Sequence, residues 1–205
     1  MASSPLGYSA PSAGFDAPLE MLGACHERIQ GQCSTLRRLA AHVVAAGADG
    51  DARAAAHNVI RYFDGAGRHH HDDEEHDLFP ALLESTAGSD PTGIRQLVDA
   101  LKLDHRELDA DWQKLRPWLA RIEAGDASAP AQEEIEQFIA QYARHIAREE
   151  RDLLPMAARL LGPGALERIG QSMRQRRGIG PGPGLDPQRS PGFRRYPFSA
   201  ESSSE

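Results

Sequence analysis

Four stretches of the chain repeat apolar residues at spacings of mostly three, four and seven, the period of a helix with one buried face. The first covers about residues 18–46, with Leu22, Ile29, Cys33, Leu36 and Val43 in its stripe. The second, about 51–83, sets Ile60, Phe63, Gly67 and Leu78 on one side. The third, about 91–124, is a near-heptad run of Ile94, Leu97, Leu101, Leu108, Trp112, Leu115, Leu119 and Ile122. The fourth, about 130–161, carries Ile135, Phe138, Tyr142, Leu153 and Met156. Turn signals separate them: residues 47–51, residues 88–91 (a stop, an Asp N-cap and a Pro near the first helical position), and residues 125–130.

Gly162-Pro163-Gly164 ends the fourth stretch, and a short amphipathic segment follows over 162–176, with Leu166, Ile169 and Met173. No segment shows the alternating period of a strand. Short connections make neighbouring helices antiparallel. The predicted fold is all-α: an up-down-up-down antiparallel four-helix bundle over 18–161 with a short extra C-terminal helix. The Ser/Ala/Pro/Gly-rich residues 1–17 and the Gly/Pro/Arg/Ser-rich residues 177–205 are predicted to be disordered. Gly65 and Gly67 each weaken the second helix by roughly 1 kcal/mol relative to Ala, and either a close approach or a local bend would explain them. Pro80, Pro117 and Pro155 are expected to kink their helices.

The stripes are interrupted by six polar residues. His26 stands between Leu22 and Ile29, His70 and Glu74 precede Leu78, His105 divides Leu101 from Leu108, and His145 and Glu149 precede Leu153. A His-x-x-x-Glu spacing places both side chains on one helical face, one turn apart. The order repeats, a lone His followed by His-x-x-x-Glu, with His26 to His70 spanning 44 residues and His105 to His145 spanning 40. In an antiparallel bundle, similar loops return the chain to the same level, so all six groups meet in one layer. One His-x-x-x-Glu is ordinarily a solvated helix face; two, each preceded by a lone stripe histidine, point to a shared site. Charged and unpaired in an apolar core, such groups cost several kcal/mol each, a cost that a bound metal ion offsets. Imidazole with carboxylate suits iron, zinc, manganese or copper, and two bridging carboxylates with terminal histidines suit a dinuclear arrangement. The absence of thiolate argues against structural zinc.

Around the second-helix site the chain reads His70-His71-Asp72-Asp73-Glu74-Glu75-His76-Asp77. His71 and Glu75 lie about 100° round the helix from His70 and Glu74. Each is a candidate outer partner or alternative ligand; surface exposure is the simpler expectation. Asp72, Asp73, His76 and Asp77 are expected to face water. Glu150, the counterpart of Glu75, suggests a structural role such as pairing with an Arg. Tyr142, one turn before His145, is expected to pack. His42, His57 and His69 are expected at the surface.

Composition narrows the class. The 205 residues are 40% hydrophobic and 26% charged, enough for one globular domain, and no apolar run reaches the length of a membrane span. The first 18 residues show neither a basic region nor a continuous apolar run, so a cytoplasmic location is expected. Cys25 and Cys33, eight residues apart on one helix, are too distant for a disulfide and are read as packing residues, Cys25 keeping a minor option as a soft ligand. The net charge is −7, of which residues 174–205 contribute +3 (six Arg against three acids), leaving −10 on the helical body. An acidic body with a short Arg-bearing tail does not fit a nucleic-acid binder.

The doubled pattern His26…His70-His71-x-x-Glu74-Glu75-x-x-Leu78-Phe79-Pro80…His105…His145-x-x-x-Glu149-Glu150-x-x-Leu153-Leu154-Pro155 resembles the hemerythrin-like, HHE cation-binding family over about residues 18–160. The resemblance implies a non-haem di-iron centre: two Fe ions, oxo- or hydroxo-bridged. It carries the ligands over to His26, His70, Glu74, His105, His145 and Glu149, the glutamates bridging. Two departures set the chain apart from oxygen-carrying hemerythrins. Their fifth histidine, one turn before the third-helix ligand, is Leu101 here, and their His-x-x-x-x-Asp is here His145-x-x-x-Glu149. These changes leave an open or water-filled coordination position. The expected function is binding or sensing of dioxygen or a related small ligand (peroxide, NO). The alternatives are a di-iron oxidoreductase in oxidative or nitrosative stress defence, hinted at by Tyr142 and Cys25, and an iron storage or sensing module whose Arg-bearing tail meets a partner. Neither nucleic acid nor membrane is an expected partner, and the residues leave open both the oligomeric state and whether the chain is an enzyme.

Overall fold

A computed structural model describes residues 14–86, 92–129 and 132–180. Residues 1–13 and 181–205, the stop-and-start signal at 88–91 and the Pro130 start lie outside the described residues. Helix α1 is Pro18–Ala46. Helix α2 covers residues 50–85: the α-helical stretches Gly50–Arg61, Arg68–Asp73 and Phe79–Ser85 are joined by wider π turns at Tyr62–Gly67 and Glu74–Leu78. Helix α3 is Thr92–Glu123 and runs on through Pro117. Helix α4 covers residues 132–160, with a third π turn, Glu149–Leu153, between Gln132–Arg148 and Leu154–Leu160. Helix α5 is Pro163–Arg176, with its Pro in the first turn where the missing donor is harmless. The fold is all-α as expected, with no strand among the described residues. None of these helices is long and apolar enough to cross a membrane.

Each of α1–α4 packs on two neighbours, α1 on α2 and α4, and α3 on α2 and α4. The apolar stripes merge into two clusters. In the smaller, Met21 and Leu22 from the start of α1 meet Leu78, Phe79 and Leu82 from the end of α2. Val98 and Leu101 from the start of α3 and Leu153 and Ala157 from the end of α4 complete that level. Starts meeting ends is the antiparallel arrangement that short loops impose. The larger cluster fills the opposite end with Leu36, Val43, Ala56, Phe63, Trp112, Leu119, Ile135 and Phe138. The polar layer of His26, His70, His105 and His145 lies between the two.

Aromatic packing supports the larger cluster. The Phe63 ring lies 5.0 Å from Trp112, 5.3 Å from Phe138 and 5.5 Å from Tyr142, centroid to centroid. Phe138 is fully buried, so Phe138→Ala will lower stability by about 3–5 kcal/mol in urea unfolding; a loss under about 1 kcal/mol would mean that this end of the core repacks freely.

Gly65 and Gly67 fall inside the first π turn. Gly67 is the crowded one: Phe63 Cδ1 lies 3.3 Å from where its Cβ would stand, whereas Gly65 faces open space. At the other two π turns, the N–H of Phe79 reaches the carbonyl of Glu74 and the N–H of Leu154 that of Glu149, each five residues back. Pro80 and Pro155 come next in the chain, and a proline ring clashes with the carbonyl four residues back in a regular α-helix. Widening the turn accommodates that ring, and it begins at the site glutamates, where π turns commonly fall.

Residues at both edges of the tails read from composition lie against the bundle. Phe15 packs on α5, where a Cβ on Gly170 would collide with the Phe15 carbonyl. The guanidiniums of Arg174 and Arg177 sit 5.0 and 5.8 Å over the Phe15 ring. Asp73, expected to face water, is fully buried, because Arg176 and Arg177 reach back from the end of α5 to both of its oxygens. Asp77 likewise binds Arg176, at 2.7 Å. Contacts between segments about 100 residues apart leave no local trace in composition.

Candidate metal centre

The helical stripes deliver their polar interruptions to a single buried level. His26, His70, Glu74, His105, His145 and Glu149 are each at most 2% exposed. His145 Nε2 lies 2.9 Å from Glu149 Oε1, and His26 Nε2 lies 3.0 Å from the other oxygen. His105 Nε2 and His70 Nε2 stand 3.3 and 3.7 Å from the two oxygens of Glu74. None of these contacts has hydrogen-bond alignment. The four Nε2 atoms and all four carboxylate oxygens are buried without a hydrogen-bond partner. Buried polar groups are almost always paired, so donors that converge without pairing are aimed at a common occupant.

Two overlapping sets of four have mutually close donor atoms: His26, His70, Glu74 and Glu149, and Glu74, His105, His145 and Glu149. Both glutamates belong to both sets. Nitrogen and carboxylate donors without sulfur fit a divalent or trivalent transition metal, iron included. Cys25 and Cys33 are free, buried and outside every such set among the described residues. Burial pushes the Cys25 thiol up, so it is no activated thiolate.

A second ring of residues orients the imidazoles. His105 Nδ1 lies 2.7 Å from Glu75 Oε1 and His26 Nδ1 lies 3.2 Å from Glu150 Oε1. An Nδ1–H that donates outward leaves Nε2 bare toward the interior. Each lone histidine is thus held by the glutamate following the site glutamate on a neighbouring helix. Glu150, expected to pair with an Arg, instead holds His26, while Arg148 and Arg151 of its own turn pair with Asp104 and Asp152. His145 Nδ1 faces Asp104 Oδ2 at 3.5 Å, and Arg148 fixes that carboxylate at 2.6 Å.

His71 was expected at the surface and is buried, with its Nε2 unpartnered. Its ring stacks on His105 at 4.1 Å and lies 5.8 Å from His145 and 6.0 Å from Tyr142. Helix α2 is gripped by α3 on one flank and α1 on the other, so its buried wedge is wider than one stripe. A stripe drawn one residue wide could not show that. Tyr142 is buried, packed on Phe138 at 5.0 Å, as expected. His57 is exposed and His42 and His69 are half-buried, His42 pairing with Asp49 and His57 with Glu123.

The electrostatics follow from crowding. Burial, then the Glu149 charge, pushes the Glu74 carboxyl well above its usual range. Burial works the same way on Glu149, but His145, then His26 and His70, hold it well below. Burial lowers His70 to about 3 and His71 well below its ordinary value, and lowers His105 with help from His145. His145 is instead raised: burial opposes this, but Glu149 and Asp104 outweigh it. The two carboxyls are thus pushed in opposite directions, and a bound cation would favour the charged form of both.

Comparison with known proteins agrees with this geometry. Residues 17–157 match the hemerythrin HHE cation binding domain. A protein of Haemophilus influenzae (strain ATCC 51907 / DSM 11121 / KW20 / Rd), described as an uncharacterized protein, is 30% identical over 167 residues, 82% of this chain and 94% of that protein.

Proposed function

The chain belongs to the hemerythrin HHE cation-binding family, and we propose that it is a non-haem di-iron protein that binds or senses a small ligand such as dioxygen, peroxide or nitric oxide. One ion would be held by His26 and His70, the other by His105 and His145, with Glu74 and Glu149 shared. The observation that supports this most is the convergence of eight buried, unpartnered donor atoms between two apolar clusters. Two such ions would supply reversible electron transfer and an exchangeable position for a small ligand. The chain's own contribution is to hold bare nitrogens inward through Glu75, Glu150 and Asp104. It also excludes water: Leu78, Phe79, Leu101 and Leu153 are fully buried just beyond the centre. Leu101 supplies no donor where oxygen carriers have a fifth histidine, which supports ligand binding or sensing over bulk oxygen transport.

The oxidoreductase alternative loses one of its two hints, since Cys25 neither joins the centre nor ionises readily. A cytoplasmic setting is part of the proposal, supported by two free buried thiols. Expression in iron-replete medium will yield about two iron ions per chain, with near-ultraviolet bands that change on reduction and on adding azide. Under one metal ion per chain overturns the reading.

A further inference from the structure

His71 is the buried group that the assigned ligands leave without a task. One ring nitrogen of His71 lies within 4.8 Å of a nitrogen of His105 and of His145, so a third imidazole opens on the same space as that pair. Two roles fit such a group, a further metal ligand or a hydrogen-bonding neighbour. Ring geometry separates them. The His71 and His105 planes are inclined by only 12° with centres 4.1 Å apart. An imidazole ligates through a lone pair in its ring plane at roughly 2 Å from the metal. Planes so nearly parallel do not meet within that distance, so one ion cannot lie in both. The T-shaped pair of His105 and His145, inclined by 70°, meets the requirement.

We propose that His71 is a non-ligating, positioning imidazole whose Nε2 hydrogen-bonds the small ligand taken up beside the His105–His145 pair. The proposal rests on the di-iron reading and deepens it by naming what the ligand meets. His105 is itself fixed through Glu75 at 2.7 Å, and the Phe79 ring lies on it at 5.9 Å and 14°. The stack therefore holds the His71 plane. The Tyr142 ring also neighbours His71, at 6.0 Å and 27° from parallel. Rings pack closely round His71 and its Nε2 is buried without a partner, which suits a ligand of two or three atoms with a hydrogen-bond acceptor at its end. Azide, superoxide or dioxygen has that chemistry; a bulky organic substrate does not.

The test uses iron-loaded full-length protein in three forms: wild type, His71→Phe and His71→Gln. Metal analysis and an optical azide titration are run on each. Iron content will be equal in all three. Azide affinity will fall about tenfold in His71→Phe, mostly through faster dissociation, and recover in part in His71→Gln, which keeps a donor at similar reach. Loss of one iron from His71→Phe would make His71 a ligand and overturn the proposal. Equal azide affinity in wild type and His71→Phe would reduce His71 to packing and overturn it too, with the di-iron reading intact. Wild-type protein without iron would instead overturn the di-iron reading and with it this one.

Discussion

Glu74→Leu will remove both of the proposed metal ions from the centre, whereas His26→Leu will weaken only one. Glu74 belongs to both overlapping donor sets and His26 to one. With two ions bound as proposed, losing a shared carboxylate would cost each a ligand and expose their mutual repulsion. The affinity of both should fall by more than about 100-fold, beyond what loss of an outer partner ordinarily costs. Metal-free stability will move the other way. The Glu74 oxygens are fully buried without hydrogen-bond partners, and the Glu149 charge lies beside them. An apolar replacement of similar size removes that strain, leaving the metal-free variant as stable as wild type or up to about 4 kcal/mol more so. The wild type recovers its advantage only with metal, which adds about 4 kcal/mol at a free concentration 1,000 times Kd. Metal counting and urea unfolding with and without iron check both halves. A Leu variant that still holds two ions would show that the glutamates do not bridge.

Arg176→Ala with Arg177→Ala will destabilise the protein by about 3–5 kcal/mol, because it leaves the buried Asp73 carboxylate uncompensated. The two guanidiniums are only 20% and 15% exposed, so solvent screens these contacts little. Arg177 also donates to the Met173 carbonyl at 2.9 Å, which ties the end of α5 to its own last turn. Adding Asp73→Asn to the double variant will recover part of the loss, since a neutral amide is cheaper to bury. Urea midpoints and slopes for the four combinations of arginine and aspartate changes give the coupling directly. Additive effects would show that the arginines act through their other contacts, Arg177 on Phe15 and Arg176 on Asp77, and not through Asp73. The same pairing lies one residue from Glu74, so loosening α5 should also raise proton exchange around the second-helix site.

The helices and the six inward groups were legible because both rest on period. A residue at every third or fourth position shares a face whatever its neighbours are, and four faces of similar length and short loops leave few ways to pack. His26, His70, Glu74, His105, His145 and Glu149 interrupt their stripes, and each is found at the buried level between the two apolar clusters. The surroundings were less legible. Asp73 reads as a surface acid within a run of acids, and Glu150 as half of a surface pair. Their partners, Arg176 and Arg177 for one and His26 for the other, lie 103, 104 and 124 residues away along the chain.

The sequence by itself determined the all-α bundle, its antiparallel order and the two-part His-x-x-x-Glu layer, since these follow from spacing and from the cost of burying polar groups alone. Only the tertiary structure decided what stands around that layer. The wedge that α2 buries between α1 and α3 turned His71 inward onto His105, a width set by how the helices are gripped and absent from any one helix's period. The closing of α5 over α2 turned Asp73 from a solvated charge into a buried one. Convergence of the Nε2 and carboxylate atoms without alignment to one another likewise became visible only once four helices shared one level.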